Sequence, residues 1–108
     1  MLYKFKSPAT ADLILLEPQG RQMLQILGKE PAPRGIITVA QMPGAIAAIE
    51  AAVVADDERR AAERAQAQAE GIDPAELPEA VHLRQRAAPF LALLRRSMAA
   101  ERDVVWGV

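Results

Sequence analysis

The sequence contains no cysteine, and among its 108 residues there are only one histidine, one tryptophan, one tyrosine and two phenylalanines. Lack of cysteine rules out a disulfide framework, a thiolate zinc site and a catalytic thiol, and suits a reducing compartment. His82 has no second histidine to share a metal with, so only carboxylates could complete a coordination sphere, and no metal site is expected. Ser7 and Ser97 have no histidine at nucleophile-motif spacing, which argues against a serine triad. The carboxylates nearest to a general acid/base pair are Asp12 and Glu17. Five apart on a strand, they point to opposite faces and read as strand-end charges. No catalytic residue and no cofactor are expected.

Neither charge sign dominates. Thirteen Lys plus Arg face fourteen Asp plus Glu, a net charge of -1, so there is no general pull toward nucleic acid or anionic lipid. The longest apolar stretch, around Ala45 to Ala55, is broken by Glu50 and falls short of the ~20 residues that a spanning helix needs. The opening Met1-Leu2-Tyr3-Lys4-Phe5-Lys6 lacks the basic-then-apolar order of a secretory signal. The expectation is a cytoplasmic protein with no membrane partner. Hydrophobic residues make up 51% of the chain but aromatics only 4%, which predicts a thin, aliphatic core within a single domain spanning 1–108.

Periodicity supplies the elements. Tyr3 and Phe5 alternate with Lys4 and Lys6, the pattern of a half-exposed strand near 2–6. Residues 12–16, Asp12-Leu13-Ile14-Leu15-Leu16, are apolar on both faces, as in a strand buried from both sides. Ser7 to Ala11 forms the loop between them. Pro18 opens a helix near 18–27 that Gly28 closes, and Pro31 and Pro33 hold the next connector extended. Thr38 and Gln41 have capping-box spacing, with Ile37 and Met42 placed as a hydrophobic staple, so a helix starts near Thr38 and Pro43 divides or bends its beginning.

Met42, Ile46, Ile49 and Val53 form an apolar stripe on that helix, and the face is then continued by Asp56, Arg60, Glu63 and Ala67. The helix-forming composition nonetheless persists to Glu70, which predicts an alanine-rich arm overhanging the body, with 71–80 as a surface loop and 57–80 as the overhanging unit. Leu83, Ala87, Phe90, Leu91, Leu94 and Met98 lie on one face of a last helix near 83–100, kinked at Pro89. Asp103 to Gly107 closes the chain as a strand. The predicted fold is α+β: a small three-stranded, mainly antiparallel sheet, with strands near 2–6, 12–16 and 103–107, and three helices (18–27, 38–70, 83–100) on one face.

These residues resemble the bacterial domain of unknown function 1840. The likeness runs through Met1 to Ser7, Asp12-Leu13-Ile14, Leu16-Glu17-Pro18 with Gly20-Arg21, Gly28-Lys29, Gly35 to Val39 and Gln41-Met42-Pro43. It resumes at Leu83 to Ala87, Pro89-Phe90, Leu94 to Ser97 and Asp103 to Val108. The resemblance implies a small bacterial cytoplasmic protein and carries no catalytic residue with it. The arm and the 71–80 loop lie outside it.

Three surfaces merit structural attention. Arg34, Gly35 and the N–H groups after Thr38 are a candidate anion site at a helix start, although a Thr-capped start is ordinarily only a helix start. Arg84, Arg95 and Arg102 align along one flank of the last helix, as a partner or nucleic-acid contact or as a solvated flank whose stems cover the apolar stripe; nucleic acid is disfavoured by the diluting Glu101 and Asp103. Trp106 is either a core anchor or, on a terminal edge strand, a subunit contact. The functional expectation is a non-enzymatic interaction or regulatory module that forms a homodimer, with an anionic-ligand domain as the alternative and a nucleic-acid contact as the third reading.

Overall fold

In the computed structural model, which describes residues 2–73 and 82–107, the alternation of the first strand sets the layout. Tyr3, Phe5 and Ser7 of β1 (Leu2–Ser7) are buried while Leu2 and Lys4 are exposed. A two-residue turn at Pro8-Ala9 leads into β2 (Thr10–Leu16), and the hairpin register sets Tyr3 opposite Leu15 and Phe5 opposite Leu13. Both strands run further into the turn than the predicted Ser7–Ala11 loop allowed. The irregular register between Phe5 and Ser7 absorbs the extra length.

The sheet has four strands, not three, in the order β2-β1-β4-β3, and every neighbouring pair is antiparallel. The additional strand is β3 (Gly35–Ile37), which pairs with β4 (Val104–Trp106). Its three residues were too short for periodicity to separate from a helix lead-in. β4 therefore lies between β1 and β3 and is not an edge. The edges are β2 and β3.

The three helices cover the face that carries Tyr3, Phe5, Ile37, Val104 and Trp106, and together they bury one apolar cluster. α1 (Glu17–Ile26) brings Gly20 against the Tyr3 ring, where an added Cβ would stand 2.4 Å from Cδ2, and buries Met23 and Leu24. A 3-10 turn, Val39–Gln41, precedes α2 (Met42–Ala69), with Pro43 in the first turn, so the predicted division of this helix falls at Met42. α2 buries Met42, Ala45, Ile49 and Val53. α3 (Leu83–Ala99) continues across Pro89 and buries Leu83, Ala87, Phe90, Leu93, Leu94 and Ser97.

The buried serines are matched. The Ser97 hydroxyl bonds the Leu93 carbonyl at 2.7 Å and the Ser7 hydroxyl at 2.7 Å, and Ser7 also accepts from the Ala9 N–H. The two serines thus tie α3 to the hairpin turn. Toward the connector after α1, the Tyr3 hydroxyl donates to the Pro31 carbonyl and the Trp106 indole N–H to the Ala32 carbonyl. The connector prolines leave those carbonyls without helical or sheet partners, and two aromatic donors supply them.

Beyond Asp57, α2 continues to Ala69 with mostly exposed residues. Of residues 57–70, Ala67 is buried and the rest are exposed or half-buried. The molecule accordingly measures 51 × 28 × 22 Å. Of the predicted 71–80 loop, 74–80 lie outside the described residues. One window within Val39–Ala69 has a mean hydropathy of 1.3, which by length and composition would suffice to cross a membrane. In the fold, its Met42, Ile49 and Val53 belong to the core.

Each long helix ends the same way. After α1 and α2, Gly28 and Gly71 take φ near +75° and +77°, and the following N–H groups reach back to Leu24 and Ala67. After α3 the equivalent position is Glu101, at φ 55°, and Arg102 N–H reaches Ser97. A side chain in this conformation costs about 1 kcal/mol relative to glycine. Glu101→Gly is therefore expected to raise unfolding free energy in urea by about that amount. Gly35→Ala should do the opposite, because its Cβ would lie 2.0 Å from Trp106 Cζ2 in a fixed ring. A loss of about 1–3 kcal/mol, read from the same urea titration, is the expected outcome.

Candidate functional site

The helix start at Thr38 shows how this protein uses an anion-binding geometry. The Val39 N–H donates to Asp103 Oδ1 at 2.9 Å, and the Thr38 N–H donates to Gln41 Oε1 at 3.1 Å. The chain's own carboxylate thus occupies the position where a ligand anion would sit. Gly35 is set by a different demand, since the indole of Trp106 lies directly over it. Arg34 is exposed on the connector. The three residues of the candidate ligand site are therefore neighbours in sequence with separate structural tasks.

The arginine flank of α3 faces carboxylates from α2. Arg84 pairs with Asp57 and Arg95 with Glu50, so two of the three cations are matched across the helix pair. Arg102 is exposed in the turn after α3. Between these ion pairs runs an open groove of about 380 Å³, with Val53, Val54, Ala88 and Leu91 along its apolar part. The groove has an acidic wall from α2 and a basic wall from α3. Exposed pairs of this kind contribute little to stability, about 0–1 kcal/mol each, and mainly fix register between the helices.

Asp56 is a tightly enclosed charge. Its side chain is 9% exposed, bonds Arg59 and Arg60, and accepts the Leu83 N–H at 3.3 Å. The carboxylate of one helix thereby satisfies the first turn of the next. His82 is the N-cap residue of α3, and its own N–H donates to Gln85 Oε1. The hydrogen bond from Arg60 is the main cause holding the Asp56 carboxyl below the usual range. The Leu83 N–H and the charges of Arg60 and Arg59 add to it, against the opposing effect of burial. Sequence reasoning took Asp56 as the point where the apolar stripe ends. No local signal reveals that a residue 27 positions away needs it.

Trp106 is 2% exposed and its ring lies 5.9 Å from that of Phe5, so it is a core residue on an internal strand. The terminal edge strand envisaged for it does not exist, because β3 covers that side of β4. Asp12 pairs with Lys4 at 3.7 Å and Glu17 with Arg21 at 3.2 Å, and the two carboxylates do not converge. Among the described residues, no cluster of three or more His, Asp or Glu is arranged to hold a metal.

The feature that sequence reasoning missed is the outer face of the sheet. β2 was expected to be buried from both sides, yet Ile14 is 54% and Leu16 61% exposed. The register places Leu2 opposite Leu16, Lys4 opposite Ile14, Lys6 opposite Val105 and Val105 opposite Ile36, all on the face away from the helices. Four of the exposed large hydrophobics, Leu2, Ile14, Leu16 and Ile36, thus share one surface, with two lysines among them. The doubly apolar pattern of residues 12–16 was the available signal, and the lack of any further helix to cover that side was the missing half of the inference.

The fold is a two-layer α+β domain with no assembled catalytic or metal centre among its described residues. The chain belongs to the family described as Domain of unknown function (DUF1840), whose model matches residues 1–106. No curated protein and no solved structure matches it.

Asp56→Ala is expected to cost about 1–2 kcal/mol at neutral pH, as for loss of a helix cap. Because the folded carboxyl titrates below its ordinary value, its stabilisation is fully present above the unfolded value near 4 and is lost as pH falls through the folded one. The stability gap between the native protein and Asp56→Asn should therefore narrow below about pH 4 in urea titrations at stepped pH.

Proposed function

We propose that this protein is a small cytoplasmic interaction module, non-enzymatic and self-associating, whose working surface is the β2 side of its sheet, where the outer face is bare. The observation that carries this reading is the gathering of Leu2, Ile14, Leu16 and Ile36 on one uncovered face. Scattered exposed aliphatics are ordinary, but Ile14 and Leu16 of β2 beside Leu2 of β1 form a neighbouring set on one sheet face, as at a contact surface. The matched arginines on α3, and Asp103 at the Thr38 helix start, make the nucleic-acid and anionic-ligand readings the weaker ones.

Area sets the strength of such a contact. With strands about 4.8 Å apart and about 3.4 Å per residue, the face offers a footprint on the order of 300 Å². A standard interface takes about 800 Å² per partner, so the dimer should be reversible, with a dissociation constant in the micromolar range or weaker. Sedimentation velocity across a concentration series tests this. A concentration-dependent shift from monomer to dimer is expected, weakened at least about tenfold by Ile14→Glu, since a buried charge at an apolar contact is heavily penalised. A single monomeric species at every concentration up to several hundred micromolar would count decisively against the reading.

A further inference from the structure

The strand order offers a way for two copies to meet. β2 is an edge: it pairs with β1 on one side only. It is also seven residues long, free of proline, and apolar on both faces, with Leu13 and Leu15 packed against the core and Ile14 and Leu16 outside. Natural edge strands are usually shortened, bulged or charged to prevent pairing. The central part of β2 carries none of these devices, and its single charge, Asp12, is already matched by Lys4.

We infer that β2 pairs antiparallel with β2 of a second copy, joining two four-stranded sheets into one of eight strands about a two-fold axis near Ile14. This inference rests on the self-association proposed above and names its geometry. Face-to-face stacking of the outer surfaces would crowd Lys4 and Lys6 of both copies into one interface, where like charges repel. Edge pairing avoids that crowding. It also supplies hydrogen bonds that the small footprint lacks: an axis at Ile14 sets residues 12–16 of the two copies against each other, five antiparallel residue pairs that exchange about four to six, roughly half the ten or so of a typical interface.

Charge complementarity points to a second copy in preference to an unrelated strand. Arg96 of α3 stands at the beginning of β2, its guanidinium donating to Thr10 Oγ1 at 3.3 Å. Glu17, the first residue of α1, stands at the strand's other end, where its exposed carboxylate also takes the Arg21 guanidinium at 3.2 Å. Antiparallel pairing about an axis near Ile14 brings Ala11 of one copy opposite Glu17 of the other. Arg96 and Glu17 then come together across the junction, once at each end by symmetry. On the outer face Ile14 meets its own copy, and on the inner face Leu13 meets Leu15. β2 becomes a central strand, the environment that its doubly apolar sequence suits.

Sedimentation velocity on the full chain, with the charges reversed singly and together, tests the inference. Arg96→Glu and Glu17→Arg should each weaken the dimer by about tenfold or more, while the double reversal returns it to within about threefold of the native value. Arg34→Glu, on the connector beside the opposite edge, should leave it unchanged. Circular dichroism checks that each variant is folded. Hydrogen exchange adds an independent reading, with amides in 11–16 becoming more protected as concentration rises. A native dimer that is indifferent to both single reversals, with exchange in 11–16 independent of concentration, would overturn edge pairing and leave self-association standing. A native chain that stays monomeric would overturn both. Unchanged self-association alongside concentration-dependent protection elsewhere in the sheet would assign the contact to the face and reject the edge.

Discussion

The packing of Phe5 against Phe90 and Trp106 is the contact on which the rest of the molecule depends. The Phe90 ring meets Phe5 edge-on at 4.9 Å and Trp106 meets it at 5.9 Å, so one side chain of β1 touches both the last helix and the last strand. With aromatics at 4% of the chain, the one other large ring is that of Tyr3, which stacks on Phe5 at 6.2 Å. Tyr3 and Trp106 then reach beyond the cluster to bond the Pro31 and Ala32 carbonyls, which fixes the connector and delivers Gly35 to its place beneath the indole. A thin aliphatic core is thus organised around a few rings whose polar ends settle the path of the chain.

Electrostatics does comparable work at the other end of the domain. Asp56, Asp57 and Glu50 all project from α2 toward α3, and each meets an arginine or a backbone N–H there. Glu50 and Asp57 are exposed or nearly so and serve as guides. Asp56 is enclosed and satisfies a helix end, a more costly group to lose. The same carboxylates match the arginines that a charge count on α3 alone would have offered to an outside partner. Whether a basic stripe is available to a ligand is a property of the helix beside it, which is why the α3 sequence by itself could not decide the matter.

Where the sequence was legible, local chemistry carried the signal. The alternation around Tyr3 and Phe5, the proline and glycine that bound α1, the capping spacing of Thr38 and Gln41, and the loss of apolar residues after Val54 all correspond to features of the fold. What escaped depended on partners distant in the chain. β3 is three residues long and is a strand only because β4 lies beside it. Leu93 and Ser97 are buried because α3 faces both α2 and the hairpin, giving it a wider buried arc than one stripe. The outer face of β2 is bare because the three helices all pack on the other side, which no reading of residues 12–16 in isolation could reveal.

The position of β4 between β1 and β3 has a consequence for how the domain is made. It is the last element in chain order, yet it joins the amino-terminal hairpin to β3. On the ribosome, the hairpin, α1 and β3 all emerge while the strand that unites them is still unsynthesised. Until Val104 to Trp106 clear the exit tunnel, Phe5 lacks its indole neighbour and a second edge of the sheet stands open. The nascent chain therefore passes through a stage at which β1 and β3 expose unpaired backbone to whatever surrounds them, and only the final residues of the domain bring that stage to a close.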